Sequence, residues 1–237
     1  MQEDKNGIRL AGTCVLLRDT DDGVEILLLR RNANLAFAGG AWVFPGGAVD
    51  QEEIDSSSTL EEATRKATAR EISEECGLLV NEQDLIHFCN WTTPKGEKRR
   101  FATWFFVAKV GDGKGDVVID GGEIHDFRWI GAREAIDLHH SGGLPLMPPT
   151  YLSVKLISHF TSAIQACESL LKRESYSVTP RLCLKDGQWI CLYPGDGGFE
   201  DSNPDIAEPL HRSLINLAGM QYTHSGQDVG VIAMDSP

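Results

Sequence analysis

Residues 69–78 read Ala-Arg-Glu-Ile-Ser-Glu-Glu-Cys-Gly-Leu, and few stretches of a chain restrict its fold and chemistry as tightly. The spacing predicts a helix closed by Gly77. Glu71 stands three and four residues before Glu74 and Glu75. Helix neighbours are three and four apart, so the three carboxylates share one face. Like charges so crowded destabilise a helix unless a cation lies between them. Arg70 reaches Glu74 at i+4, but one guanidinium cannot neutralise three acids. A hard divalent cation with oxygen ligands can. The alternative is a solvated acidic face, and the surrounding residues must decide between the two.

The same helix begins well upstream. Ser58 with Glu61, or Thr59 with Glu62, makes a capping-box pattern. Leu60, Ala63, Ala67, Ile72 and Cys76 are candidates for its inward side, and the small Ala63 and Ala67 predict close packing against a sheet. Before it, residues 8–17 and 24–29 are apolar, β-branched-rich runs around a polar loop, as in a β-hairpin. Arg30 and Arg31 end the second run and are candidate anion contacts. Trp42-Val43-Phe44 leads into Pro45-Gly46-Gly47, a sharp stop whose glycines permit close backbone approach. Residues 51–58 are polar and acidic and are expected to form a surface loop.

Downstream, residues 84–91 and 101–110 read as strands. The connection between them carries Lys95, Lys98, Arg99 and Arg100, of which Arg99 and Arg100 are the better phosphate contacts because a guanidinium offers a fork of donors. Residues 111–115 read as a turn, 117–119 as an edge strand, 124–130 as a strand opened by Gly121, Gly122 and Glu123, and 131–140 as a short helix with His139 and His140 at a polar end. Residues 150–172 repeat apolar side chains at helical spacing and predict one long amphipathic helix, its stripe facing the core or a second subunit in a homodimer. Residues 179–184 and 189–193 flank a hairpin turn. Composition loosens from residue 197, with a short helix expected over 208–218.

The chain has 237 residues and a formal net charge of −13, which argues against nucleic-acid binding because that needs a basic face. An acidic protein binds phosphates through a local basic patch, a helix N-terminus or a metal. Six cysteines show no C-x-x-C pair and the first residues are polar, so free thiols in a reducing cytoplasm are expected. No apolar run approaches the ~20 residues needed to cross a bilayer.

Glu62, seven residues, then Arg70-Glu71-Ile72-Ser73-Glu74-Glu75-Cys76-Gly77-Leu78 resembles the Nudix box, G-x5-E-x7-R-E-U-x-E-E-x-G-U with U aliphatic. Every position from Glu62 onward fits. Ser56 stands where the leading glycine belongs, and the nearest candidate, Gly47, is separated from Glu62 by fourteen residues instead of five. An insertion at about residues 48–58 is therefore expected, with Gly46 and Gly47 keeping the turn. The resemblance implies an α/β (α+β) Nudix fold, a mixed β-sheet sandwiched between helices. Residues 1–145 would be the hydrolase domain and 146–237 a C-terminal helix-plus-hairpin extension with an irregular tail.

It further implies metal-dependent hydrolysis of a diphosphate. Glu71, Glu74 and Glu75 would hold Mg²⁺ or Mn²⁺, and Arg70 would orient Glu74. Glu62 would support the helix or Arg70. Glu71, Glu74 or Glu123 would be the general base. Residues 42–50, Arg100-Phe101, Pro148-Pro149-Thr150, Thr179-Pro180-Arg181 and Pro194-Gly195-Asp196 resemble the acyl-coenzyme A diphosphatase branch. A stricter coenzyme A signature is met at Arg31, Gly40 and residues 44–47 but not at Asn32, Ala36 or Trp42. ADP-ribose, NADH and nucleotide sugars are the alternative substrates, and a non-catalytic Nudix-fold binding module is the alternative class.

Overall fold

The computed structural model describes residues 7–34, 39–111, 116–119, 121–216, 219–225 and 233–237. The expected first hairpin is formed by Ile8–Thr20 (β1) and Gly23–Arg31 (β2). Its two strands stay paired only from Leu17↔Ile26 to Thr20↔Gly23 and then part. Trp42–Val43 (β3) pairs with the far end of β2, and Gly46–Ala48 (β4) with the first half of β1. The Pro-Gly-Gly segment thus fills the wedge where β1 and β2 diverge. On the other edge of β1 lies Arg100–Lys109 (β6), parallel to it over Ile8↔Arg100 to Leu17↔Lys109. Ile86–Thr92 (β5) pairs antiparallel with β6, and Ile124–Gly131 (β7) antiparallel with β2. Tyr176–Val178 (β8) adds to β5 in parallel and completes an eight-stranded mixed sheet.

Helices cover both faces of this sheet, and the period of two along a strand sorts the side chains between them. Cys14, Leu16, Leu27 and Leu29 face a cluster with Ile72 and Cys76 of the helix Leu60–Cys76. Val15, Leu17, Ile26 and Leu28 face the opposite cluster, built with Tyr151, Leu152, Leu156, Ala163 and Leu170. The Nudix-type mixed sheet between helices is therefore present. The short helix expected near residue 131 forms as Ala132–His140.

Five expectations are corrected. Residues 51–58 are not all loop: Gln51–Asp55 is a helix (α1), leaving Leu60–Cys76 as α2 and Ala132–His140 as α3. Residues 150–172 form two helices, Pro148–Ile157 (α4) and Ala163–Lys172 (α5). The break occurs because Ser162 caps α5, its Oγ accepting from Gln165 N at 3.2 Å, while Asp19 Oδ1 accepts from Ala163 N at 2.7 Å. The apolar stripe splits with it: Leu152, Leu156 and Phe160 are buried, whereas Ile164 and Leu171 are exposed. Residues 117–119 are not a strand; Val118 N donates to Cys76 O at 3.0 Å and closes the end of α2.

The fourth correction is Leu210–Ile215, a strand (β11) where a helix was expected. It joins Arg181–Lys185 (β9), Gln188–Leu192 (β10) and Gln221–Ser225 (β12) in a second, antiparallel sheet. The tail beyond residue 197 is thus strand-bearing. Fifth, His139 is buried at the core, not a polar helix end. Its Nε2 accepts from Met220 N at 3.0 Å, so the ring proton sits on Nδ1 and is donated to Leu144 O at 3.0 Å. Burial lowers its pKa and keeps it neutral. Cys14, Cys76, Cys89, Cys167, Cys183 and Cys191 are all free thiols. The turn expected at residues 111–115 lies largely outside the described residues, as does Ala36. Among the described residues no helix is long and apolar enough to cross a membrane.

Candidate active site

The helix α2 is anchored at both ends. Thr59 Oγ1 accepts from Glu62 N at 3.1 Å, and Gly77 ends the helix in the left-handed region at φ 69°, its N–H donating to Ser73 O. Between these ends the helix lies very close to the sheet. A Cβ on Gly12 of β1 would overlap Thr68 Oγ1, and a Cβ on Gly47 would overlap the Glu71 carboxylate. The bare backbone of Gly47 makes room for Glu71, while that of Gly46 lets β4 close against Gly12 and Thr13 of β1. Gly46 N donates to Glu75 Oε2 at 2.9 Å.

Arg70 draws the acids together. Its Nη1 donates to Glu71 Oε1 at 2.9 Å and to Glu74 Oε2 at 3.0 Å, so two carboxylates already converge on one cation. Its Nε and Nη2 turn the other way, to Glu53 Oε1 at 2.9 Å and Ala48 O at 3.2 Å. The Glu53 hydrogen bond comes first among the causes that raise the Arg70 pKa further. Burial pushes the Glu71 carboxyl up, Arg70 opposes this, and Glu74 and Glu123 add to it. Glu75 is more affected: burial first, then the charges of Glu71 and Glu123, raise it to about 8 against the pull of Gly46 N–H and Arg31.

These groups fit a hard cation by donor chemistry. All are carboxylate oxygens, and burial first, then the charges of Glu71 and Glu123, opposes ionisation of Glu75, an opposition that a bound cation would relieve. Among the described residues no three acidic, histidine or cysteine side chains already close into a metal cage.

The other expected residues divide. Glu123 accepts from Arg31 Nη2 at 3.4 Å, and its charge reaches Glu71 and Glu75. Arg30 and Arg31 line a cleft of about 340 Å³ with Ala33, His125 and Asp126. Arg31 Nε is buried without a hydrogen-bond partner among the described residues. Arg99 and Arg100 are not brought to the carboxylates. Arg99 is exposed beyond the end of β6, and Arg100 donates Nε and Nη2 to Thr93 O, both at 3.1 Å, which staples its own hairpin. In register Arg100 lies four residues along β6 from Trp104, the partner of Gly12, or ~13 Å at strand rise. Glu62 does not meet Arg70: its Oε2 accepts from Ser58 N at 2.8 Å and its Oε1 pairs with Lys66 at 3.0 Å. Sequence reasoning missed Glu53 and Gly12, whose contacts join segments distant along the chain.

The later motifs have structural partners. Asp196 is locked to Arg212, Arg181 pairs with Glu200, and Pro148 opens α4. Comparison with known proteins bears on the family and the fold. The Caenorhabditis elegans protein named "Putative nudix hydrolase 7" is 26% identical over 241 residues, covering 84% of this chain and 79% of that protein. A crystal structure of a NUDIX hydrolase from Alicyclobacillus acidocaldarius superposes with a TM-score of 0.61 at 24% identity, covering 68% of this chain and 96% of its own, and shares the fold. Residues 8–148, more than half of the sequence, match the NUDIX domain, and the chain belongs to the Nudix family.

Proposed function

We propose that this Nudix hydrolase cleaves the diphosphate of coenzyme A or an acyl-coenzyme A, yielding a phosphopantetheine product and adenosine 3′,5′-bisphosphate. The observation that carries the hydrolytic part is the gathering of three glutamates at one end of the wedge, Glu75 on Gly46 N, Glu71 against Gly47, and Glu74 joined to Glu71 through Arg70. Bound there, Mg²⁺ or Mn²⁺ would supply charge neutralisation at the diphosphate oxygens and acidify water. Glu71, Glu74 and Glu75 would hold the ion, and Arg70 keeps Glu71 and Glu74 from splaying apart. Arg30 and Arg31, which line the cleft, face the substrate's anionic arm. Glu71, Glu74 or Glu123 accepts the proton of the attacking water. The water oxygen bonds to one phosphorus, the bridging oxygen leaves with the other, and two phosphate monoesters result.

The substrate rests on the likeness of residues 42–50, Arg100-Phe101 and the later proline motifs to the acyl-coenzyme A diphosphatase branch. The free thiols suit a reducing compartment such as the cytoplasm. The exposed Ile164 and Leu171 on α5 are what a homodimer would have left to cover. The test is turnover of coenzyme A, ADP-ribose, NADH and a nucleotide sugar with Mg²⁺ or Mn²⁺, products identified by mass. Coenzyme A should be cleaved fastest, and Glu74→Gln should lose that activity. ADP-ribose turned over as fast or faster overturns the substrate; full activity in Glu74→Gln and Glu75→Gln overturns the metal site.

A further inference from the structure

The back of the Arg70 guanidinium is held by a residue outside α2. Glu53 sits on α1 with its side chain only 14% exposed. Its Oε1 accepts from Arg70 Nε at 2.9 Å, and its Oε2 from Arg70 Nη2 at 3.4 Å and from Asp50 N at 2.7 Å. A guanidinium is planar, so fixing Nε and Nη2 decides where Nη1 points. Here Nη1 points between Glu71 and Glu74. Glu62, which the spacing to Arg70 picks out, is instead occupied by Ser58 N and Lys66 at the start of α2.

The sequence around Glu53 has a matching regularity. Five residues, 48–52, separate Gly47 from Glu53, the glycine-to-glutamate spacing of the box pattern. Sixteen residues, 54–69, then separate Glu53 from Arg70 where the pattern has seven. We infer that Glu53, not Glu62, is the box glutamate of this chain, a positioning residue that sets Glu71 and Glu74 through Arg70, and that the insertion follows it. Residues 56–59 and the first turns of α2 then form the inserted stretch, and α1 remains part of the box loop. The inference rests on the hydrolase reading of the site and specifies which glutamate tunes it.

The test compares Glu53→Gln with Glu62→Gln, each keeping side-chain shape. Glu53→Gln should lower kcat about tenfold to a hundredfold, the effect of losing an outer partner of a catalytic group, with KM nearly unchanged. Glu53→Asp, which keeps the charge, should recover part of the loss, and Glu62→Gln should match wild type. Combined with Arg70→Lys, Glu53→Gln should add little further loss. The readout independent of turnover is the Arg70 Nε–Hε resonance by NMR, assigned with Arg70→Lys. It should be protected from exchange in wild type and Glu62→Gln, and lost or averaged in Glu53→Gln. A wild type that cleaves no diphosphate refutes the hydrolase reading, and the NMR comparison still decides whether Glu53 fixes Arg70. An active wild type with kcat and the Arg70 signal intact in Glu53→Gln, or lost equally in Glu62→Gln, overturns the inference.

Discussion

Among the arginines that hold carboxylates, Arg212 and Arg70 do it with opposite accounts of charge. Arg212 in β11 meets Asp196 side-on, Nε to Oδ2 and Nη2 to Oδ1, both at 2.7 Å, with exposures of 9% and 0%. Asp196 also accepts from Gly198 N and His211 N, and Arg212 also donates to the carbonyls of Pro204 and Ile206. Burial opposes ionisation of Asp196, yet Arg212 and the two N–H groups outweigh it and lower the pKa. Arg70 is 30% exposed and lies within ion-pair distance of Asp50, Glu53, Glu71 and Glu74, with Glu75 beyond. There the pKa values of Glu71 and Glu75 rise. A buried pair with equal charges and four of five guanidinium hydrogens engaged is closed chemistry that fastens the second sheet. A cluster with surplus negative charge remains able to take a cation, and only the second arrangement reads as a site.

Removing one partner breaks this contrast most sharply in the closed pair. Arg212→Ala leaves Asp196 buried without a counter-charge and should cost about 3–5 kcal/mol. By chemical denaturation the double variant Asp196→Ala/Arg212→Ala should recover part of that loss, since no stranded charge remains. Activity per folded molecule should be unchanged. Equal destabilisation by single and double variants would show that the pair packs without mattering electrostatically.

The site should respond the other way. Glu75→Gln is expected to lower kcat by roughly a hundred- to a thousandfold, on the order of losing one group that stabilises transition-state charge. Without metal its stability should hold or rise, because the amide cannot ionise in the buried site and its oxygen still accepts from Gly46 N. A Glu75→Gln protein that is both active and less stable would place Glu75 with the structural pair.

The same asymmetry fixes the direction of a pH dependence. Glu75 moves from its ordinary 4.5 to about 8, so it contributes stability that is complete below pH 4.5 and is lost as pH rises through about 8. Asp196 is lowered from 3.8, so its contribution is present above pH 3.8 and disappears as pH falls through the lowered value. In EDTA, the stability of Glu75→Gln relative to wild type should therefore increase between pH 5 and 8. Excess Mg²⁺ should stabilise wild type more at pH 8 than at pH 6, because the ion takes the proton's place. A difference between the two proteins that is flat with pH contradicts a buried Glu75 carboxyl.

What the sequence disclosed follows the range of the forces involved. The helix α2, its Thr59 cap and its Gly77 stop are local, and all were legible. So was the turn between β9 and β10, where Asp186 and Gly187 take positive φ of 50° and 79°. The errors arise where tertiary contact overrides a local pattern. Leu210–Ile215 has composition suited to either state, and pairing with β10 and β12 makes it a strand. The break between α4 and α5 is set partly by Asp19 from the opposite end of the chain. Glu53 looked like loop acid because its partner lies seventeen positions on, although its distance from Gly47 was a usable signal. Arg99 and Arg100 had suitable chemistry, but strand register carried them away from the box.

The smallest effect is expected at a third ionic group, balanced like Asp196–Arg212 but exposed. At the start of α2, Thr59 caps Glu62 N while Glu62 takes Ser58 N and Lys66. Ser58 N–H first, then Lys66, lower the Glu62 pKa. Water competes for all of these contacts, so their effect on stability is modest. Thr59→Ala should cost about 1 kcal/mol, the usual loss of an N-cap. For a chain of this size that corresponds to a fall in Tm of roughly 2–4 °C. The cap lies twelve residues before Glu71, ~18 Å along the helix axis, and the sheet fixes the distal half of α2 through Gly12 and Gly47. Fraying at the first turn should therefore leave kcat and metal affinity unchanged. If Thr59→Ala lowers kcat in parallel with Tm, the box is not held by its own packing against the wedge, and the separation between a structural and a functional ionic cluster fails within this helix.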